Sequence, residues 1–282
     1  MVKIIADTTT CISPTEAREM GIGYLPQIVI FGSETYRDDT EIDSREFLRR
    51  LKASATLPKT AAPPPALYTP LYQEYSAQGD TIIVLCPSAE ASGTFRSATV
   101  AAQDFPEADL RIIDTKLVAG GFGAVVKEAV RWANDGLDAG TIVTKIEEMA
   151  GRNRLYFLVD TLEYLYKGGR IGAARALFGS ILQMKPILTF RNGHIEPFES
   201  QRTQKRALAR MKEVILMDCP RASEAHLCIM QGGAEAVASN LAQEFAALLD
   251  VPLSSIPIDD MTPAILVHSG PGVIGVSYFV AP

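Results

Sequence analysis

With 282 residues, 47% of them apolar and 21% charged, the chain has the composition of an ordinary soluble globular protein and the length for two domains. A formal net charge of −6 argues against nucleic-acid binding, because a phosphate backbone selects a basic surface. No apolar run approaches the length that spans a bilayer.

The opening MVKIIADTTT goes directly into a strand pattern at Val2–Ala6 and has no signal-peptide layout. Ser13, Pro14 and Glu16 then form a strong helix start, so a βα unit begins the chain. Gly23–Phe31 reads as a second strand, and Asp43 caps a helix that runs through Leu51. Pro58–Pro65 (PKTAAPPP) can form neither helix nor central strand. After a helix from about Ala66 to Gln78, Thr81–Cys86 (TIIVLC) is the clearest buried parallel-type strand. A helix opens at Ser92-Gly93-Thr94, a strand follows at Leu110–Ile113, and Gly120–Gly123 is expected just before a long helix that ends near Ala133. Another helix covers Thr141–Met149, and Leu155–Val159 is a strand. Such βαβα alternation implies an α/β fold with a largely parallel sheet, helices on both faces, and ligands at the carboxyl ends of the strands.

The most distinctive stretch is Thr161–Leu188. Asp160 and Thr161 with Glu163 resemble a capping box, and the helix they start must stop at Gly168-Gly169. A second helix is expected from the apolar pairs Leu177/Ile181 and Phe178/Leu182, then a strand at Ile187–Phe190. Lys167 and Arg170 around the two glycines look like a phosphate cradle, but no Walker signature or Mg²⁺ cluster accompanies them.

Beyond it the pattern becomes α+β. Asn192-Gly193 marks a hairpin between Leu188–Arg191 and His194–Phe198, and a basic helix spans about Thr203–Met217. A strand at His226–Met230, a helix at Ala234–Leu249, and strands at Ser254–Pro257, Ala264–Val267 and Val273–Val280 complete the chain. The change of character puts the boundary near residue 150, giving units 1–150 and 151–282.

Three loops offer polar groups for chemistry: Lys59-Thr60-Ala61, Ser92-Gly93-Thr94 and His268-Ser269-Gly270. Ser92 reads either as a plain helix cap or as a ligand for an anionic oxygen at a helix start, where Gly93 permits close approach. His268 reads equally as a packed or a functional residue; His194 and His226 read as surface residues. A hydrolase built on Ser92 and His268 lacks the G-x-S-x-G elbow and an assignable orienting acid. Four cysteines with no C-x-x-C or zinc spacing read as buried free thiols in a reducing cytoplasm. The run Arg202, Lys205, Arg206, Arg210 and Lys212 is either a solvated helix face or a docking surface for an acidic or phosphorylated partner.

Taken in order, KIIADTTT, KTAAPPP, SAEASGTFRSA, DTKLVAGGFG, LEYLYKGGRIGAARALFGSILQMKPIL, RTQKRAL and HSGPGVIGV resemble the DegV family of bacterial fatty-acid-binding proteins over essentially the whole chain. The resemblance implies two α/β domains with one acyl chain in a tunnel between them. It also implies presentation of that fatty acid to a separate ATP-dependent kinase subunit, which makes the acyl-phosphate for phospholipid synthesis. Position by position, Thr60 matches the threonine that binds the carboxylate, Ser92 the serine of the S-G-T helix start with Gly93 and Thr94, and His268, followed by Ser269, the imidazole of the head-group site. Arg170 and Arg202 match arginines suited to partner docking and phosphoryl charge. No cofactor, catalytic residue, metal or nucleic acid is implied, and only transient membrane contact. Two departures bear on the head-group surroundings: Ala61-Ala62 stand where Ser-Gln is usual, and Ser88-Ala89-Glu90-Ala91 precede Ser92. Other readings are an esterase using Ser92 and His268, or a lipid-sensing interaction protein without a kinase.

Overall fold

The computed structural model describes residues 1–178, 184–221 and 223–282. β1 (Val2–Asp7) passes through a 3-10 turn (Thr8–Thr10) to α1 (Pro14–Glu19), whose Ser13 cap accepts the Glu16 N–H. β2 (Gly23–Leu25) and β3 (Ile28–Phe31) divide the run expected as one strand. Pro26 stands between them and offers no N–H to a ladder, so the chain changes sheets there. β4 (Glu34–Arg37) folds back on β3, and α2 (Ser44–Ala53) follows. The proline-rich segment contributes a short edge strand, β5 (Lys59–Ala61), on the other side of β3. α3 (Pro65–Ala77), β6 (Thr81–Cys86), α4 (Thr94–Ala102), β7 (Leu110–Asp114), α5 (Ala119–Asn134) and α6 (Ala139–Gly151) complete this half.

Its main sheet has the order β2-β1-β6-β7 and is parallel throughout. Period-two burial divides its faces: Ile4, Ala6, Ile83 and Leu85 pack with α5 and α6, while Ile5, Ile82 and Val84 pack with the tyrosines of α3 and with α4. The glycines expected ahead of α5 lie inside its first turns. Gly120 sits against Cys228 and Met230, and Gly123 against the Thr10 carbonyl, so these positions serve close approach rather than a loop.

The second half begins with β8 (Asn153–Leu158) and α7 (Glu163–Lys167). α7 is a single short turn without a side-chain cap; Thr161 Oγ1 accepts the Glu163 N–H, and Asp160 takes no part. The expected second helix is a 3-10 turn over Gly172–Leu177, with Phe178 extended; Ile181 and Leu182 lie outside the described residues. β9 (Lys185–Arg191), β10 (His194–Gln201), α8 (Gln204–Asp218), β11 (Cys228–Gly232), α9 (Glu235–Leu249), β12 (Ile258–Asp260), α10 (Pro263–Ser269) and β13 (Val273–Phe279) follow. β12 replaces the strand expected at Ser254–Pro257, where a 3-10 turn lies instead. Ala264–Val267, expected as a strand, is helical in α10: Pro263 occupies its first turn, where a missing N–H costs nothing.

The sheet order is β10-β9-β8-β13-β11-β12, with α8 and α9 on one face. The opposite face takes α10 together with Val29 of β3 and Phe47 and Leu51 of α2, so the small sheet of the first half is packed into the core of the second. That packing brings Thr60 next to α10.

Candidate ligand-binding site

A cavity of about 250 Å³ lies where the loops of the parallel sheet meet the α10 face of the mixed sheet. Its lining includes the apolar side chains Leu155, Phe157, Phe190, Met230, Met261 and Val273 and the polar ones Thr60, Ser92, Arg170 and His268. Thr9 and Ser92 follow the carboxyl ends of β1 and β6, the edge where parallel sheets hold ligands.

Thr60 sits in register with Val29 on edge strand β5, and its Oγ1 lies 2.9 Å from His268 Nε2. His268 is the penultimate residue of α10. The residue is half-buried; its Nδ1 is buried and has no hydrogen-bond partner among the described residues, and a methyl group on Gly168 would stand 2.3 Å from that nitrogen. Burial, then the nearby Arg170 cation, push the imidazole down to about 4, so it is neutral near pH 7 and acts through hydrogen bonds alone.

The Ser92 hydroxyl accepts the Thr94 N–H at 3.3 Å and lies 2.9 Å from Thr94 Oγ1, while Gly93 occupies the cap position of α4. Thr94 anchors Ser92 from behind and does not line the cavity: its Oγ1 donates to Asp7 Oδ2 at 2.9 Å and accepts from Gln27 Nε2 at 2.9 Å. Asp7 is the hub, taking donors from Gln27, Thr94 and both the backbone and hydroxyl of Thr9. Its burial pushes the carboxyl above the usual range, against the pull of those hydrogen bonds. Ser269 also lines the cavity, but its hydroxyl donates to Ile265 O in its own helix.

The two arginines separate. Arg170 reaches into the cavity wall, where Nε donates to Ala91 O at 3.0 Å and Nη1 to Gly168 O at 2.9 Å. Arg202 is exposed between β10 and α8, away from the cavity. Lys167 pairs with Glu163 and does not join a cradle. On α8, Arg210 pairs with Glu199 and Glu213, and Lys212 with Glu244, leaving Arg202, Lys205 and Arg206 at the exposed start of the basic run. His194, expected on the surface, is exposed and lines the rim with Glu90; His226 is half-buried against Phe279. The four cysteines are free, and three are buried. Sequence reading passed over Asp7, Thr9 and Gln27 and took Gly168 for a helix stop beside a phosphate cradle; the ADTTT run was visible, but a buried hydrogen-bond hub has no local signature.

A parallel sheet and a mixed sheet around a largely apolar cavity with polar groups in its lining make this an α/β protein with a candidate small-molecule site. The model of the family described as "Uncharacterised protein, DegV family" matches residues 1–281, and the chain belongs to that family. A DegV domain-containing protein of Streptomyces coelicolor is 35% identical over 279 residues, spanning 98% of this chain and 97% of its own. A fatty-acid-binding DegV family protein from Thermus thermophilus superposes with a TM-score of 0.89 at 27% identity, covering 99% of both chains. DegV of Bacillus subtilis, a fatty acid binding protein, does so with a TM-score of 0.88 at 29% identity, also over 99% of both.

Proposed function

We propose that the chain binds one long-chain fatty acid in this cavity, between units 1–150 and 151–282, with its carboxylate held by Thr60, Ser92 and His268. The observation that carries this reading is the meeting of Thr60 and His268 at 2.9 Å in the lining of a largely apolar cavity that Ser92 and Arg170 also line. A carboxylate leaving water needs several donors, and hydroxyls from an edge strand and a loop, with a neutral imidazole, supply them. Arg170 adds the positive charge. Burying the tail is worth roughly 0.8 kcal/mol per CH₂, about ten kcal/mol for a long chain before ordering costs. The fatty-acid-binding DegV proteins of Thermus thermophilus and Bacillus subtilis support the same ligand.

The carrier presents its ligand to a separate ATP-dependent fatty acid kinase for acyl-phosphate formation, in the cytoplasm and for phospholipid synthesis. Arg170 stands at the head group and Arg202 on the exposed surface, where a partner can reach it. Hydrolysis is the weaker reading. Ser92 is hydrogen-bonded to Thr94 and His268 to Thr60, and among the described residues no carboxylate orients His268 Nδ1.

Thr60→Ala and Ser92→Ala are each expected to weaken fatty-acid affinity by about 1–3 kcal/mol, the usual cost of orphaning a buried polar partner. Titration with a fluorescent fatty acid measures this; unchanged affinity in both variants refutes the site.

A further inference from the structure

The Ser92 hydroxyl belongs to a chain of hydrogen bonds that ends on Asp7. Asp7 is buried at the end of β1, and among the described residues no cation pairs with it. Its Oδ1 accepts the Thr9 N–H at 2.8 Å and the Thr9 hydroxyl. Its Oδ2 accepts from Gln27 Nε2 at 2.6 Å and from the Thr94 hydroxyl at 2.9 Å. Thr94 has one hydroxyl proton and gives it to Asp7, while its Oγ1 accepts the second Gln27 N–H at 2.9 Å. At the 2.9 Å contact between Thr94 Oγ1 and Ser92 Oγ the proton must therefore come from Ser92. Ser92 Oγ also accepts the Thr94 backbone N–H. With Asp7 ionised, Ser92 has no proton left for the cavity and offers it lone pairs alone, which repel a carboxylate.

We propose that fatty-acid binding is coupled to the uptake of a proton by Asp7, which reverses the chain so that Thr94 donates to Ser92 and Ser92 to the ligand carboxylate. The proposal rests on the fatty-acid reading for its ligand. The proton comes from water, and no bond between heavy atoms forms or breaks. A proton on Asp7 Oδ2 donates to Thr94 Oγ1 and leaves Oδ2 free to go on accepting from Gln27. Thr94 Oγ1 then accepts from Asp7 and Gln27 and donates to Ser92, whose Oγ accepts twice from Thr94 and donates into the cavity. Every polar atom of the chain keeps a partner in that arrangement. Without the proton, turning the Thr94 hydroxyl to Ser92 would leave two bare oxygens 2.9 Å apart at Asp7. Asp7 is thus a positioning residue, acting on the ligand through two hydroxyls.

Burial pushes the Asp7 carboxyl above its usual range against the pull of its hydrogen bonds, which favours the protonated form that the bound state requires. The titratable groups that face it are Asp38 from the loop after β4, Tyr24 of β2, Tyr68 of α3 and Cys86 of β6. Asp38, whose Oδ1 accepts the Thr8 hydroxyl at 2.7 Å, is pushed up to about 7 by its own burial. Burial pushes the two phenols and the thiol upward, so they stay neutral. The bound protein holds one proton more than the free protein, so affinity is greatest where free Asp7 is already protonated. It falls as pH rises through the free midpoint, by up to about tenfold per pH unit for one proton.

The test titrates wild type and Thr94→Val with a fluorescent long-chain fatty acid from about pH 6.5 to about pH 9.5, where the free monomeric acid is ionised throughout. Valine keeps the branched shape and the backbone N–H that holds Ser92, and removes only the hydroxyl link to Asp7. Wild-type affinity should fall with rising pH, approaching about tenfold per unit. Thr94→Val should lose that slope and, near pH 9.5, bind several-fold more tightly than wild type, because its Ser92 proton is free for the ligand. Loss of a merely structural hydroxyl would instead weaken binding at every pH. Asp38, and Glu90 and His194 at the rim, are the same in both proteins, so the difference in slope reports the chain. A flat wild-type profile overturns the proposal, as does a Thr94→Val profile parallel to it. If Thr94→Val fails to fold, Ser92→Ala takes its place: it should bind more weakly and without the slope, and a retained slope overturns the proposal. If wild type binds no fatty acid at any pH, the ligand reading fails, and carboxyl NMR of Asp7 in the apo proteins decides the chain. Ser92→Ala should raise the Asp7 midpoint, since Thr94 loses the donor that strengthens its own bond to Asp7; an unmoved midpoint overturns the chain.

Discussion

A Gly168→Ala protein should fold and lose its fatty acid. Gly168 has φ −76°, an ordinary helical value, so alanine meets no backbone strain there. What its methyl group meets is His268: the added carbon would stand 2.3 Å from Nδ1 and 3.2 Å from Cε1, with the Tyr164 carbonyl at 2.9 Å. The imidazole is the more movable of these neighbours, and its displacement breaks the 2.9 Å contact with Thr60. Losing that contact and the position of the ring together should weaken fatty-acid binding by about 3 kcal/mol or more, over a hundredfold in affinity. Gly21→Ala, outside the cavity lining, is the matched control. Gly21 has φ +70° and open space around its side-chain position, so alanine there costs about 1 kcal/mol of backbone strain and leaves His268 alone. Titration of both variants with a fluorescent fatty acid checks the contrast; equal effects would mean that the ring does not depend on the gap.

The second large effect falls on stability. Gly123→Ala would put a methyl group 2.4 Å from the Thr10 carbonyl oxygen, inside the contact between α5 and the 3-10 turn after β1. The obstacle is backbone, which cannot rotate away as a side chain can. Overpacking of this kind costs about 3 kcal/mol. For a chain of this size that lowers Tm by roughly 6–12 °C, and a thermal melt reads it directly. The same displacement pushes Thr9, which lines the cavity, so affinity should fall with stability. An unchanged Tm would show that α5 and the turn can separate without loss.

These two glycines also mark where sequence reading stopped. The KGGR stretch was legible as a break between two elements and as the most distinctive feature of the chain. Its first glycine exists for a histidine a hundred residues later in the chain, and nothing local announces that. The parallel sheet was legible because its strands are buried on both faces and read as continuous apolar runs. Ala264–Val267 has the same local look, yet it is helical: Pro263 was the signal for a helix start, and the apolar run outweighed it. Thr60, Ser92 and His268 were legible as polar groups in loops, and they do converge on one cavity. Arg170 was legible only through resemblance, as an arginine suited to partner docking and phosphoryl charge; its guanidinium bonds the Ala91 and Gly168 carbonyls in the cavity lining. Asp7 and Asp38 escaped because a buried carboxylate looks like any other Asp until its donors, from Thr8, Thr9, Gln27 and Thr94, have been brought to it by the fold. Packing of the small β4-β3-β5 sheet against α10 creates the Thr60–His268 contact, and that packing is set by apolar surface far apart in the chain.

The measurement that bears most directly on fatty-acid binding is organic extraction of the purified protein followed by mass spectrometry. A long-chain fatty acid should be recovered at about one per chain from wild type and be lost from Gly168→Ala. Protein that comes out free of lipid and fails to take up added long-chain acids would contradict a fatty-acid carrier.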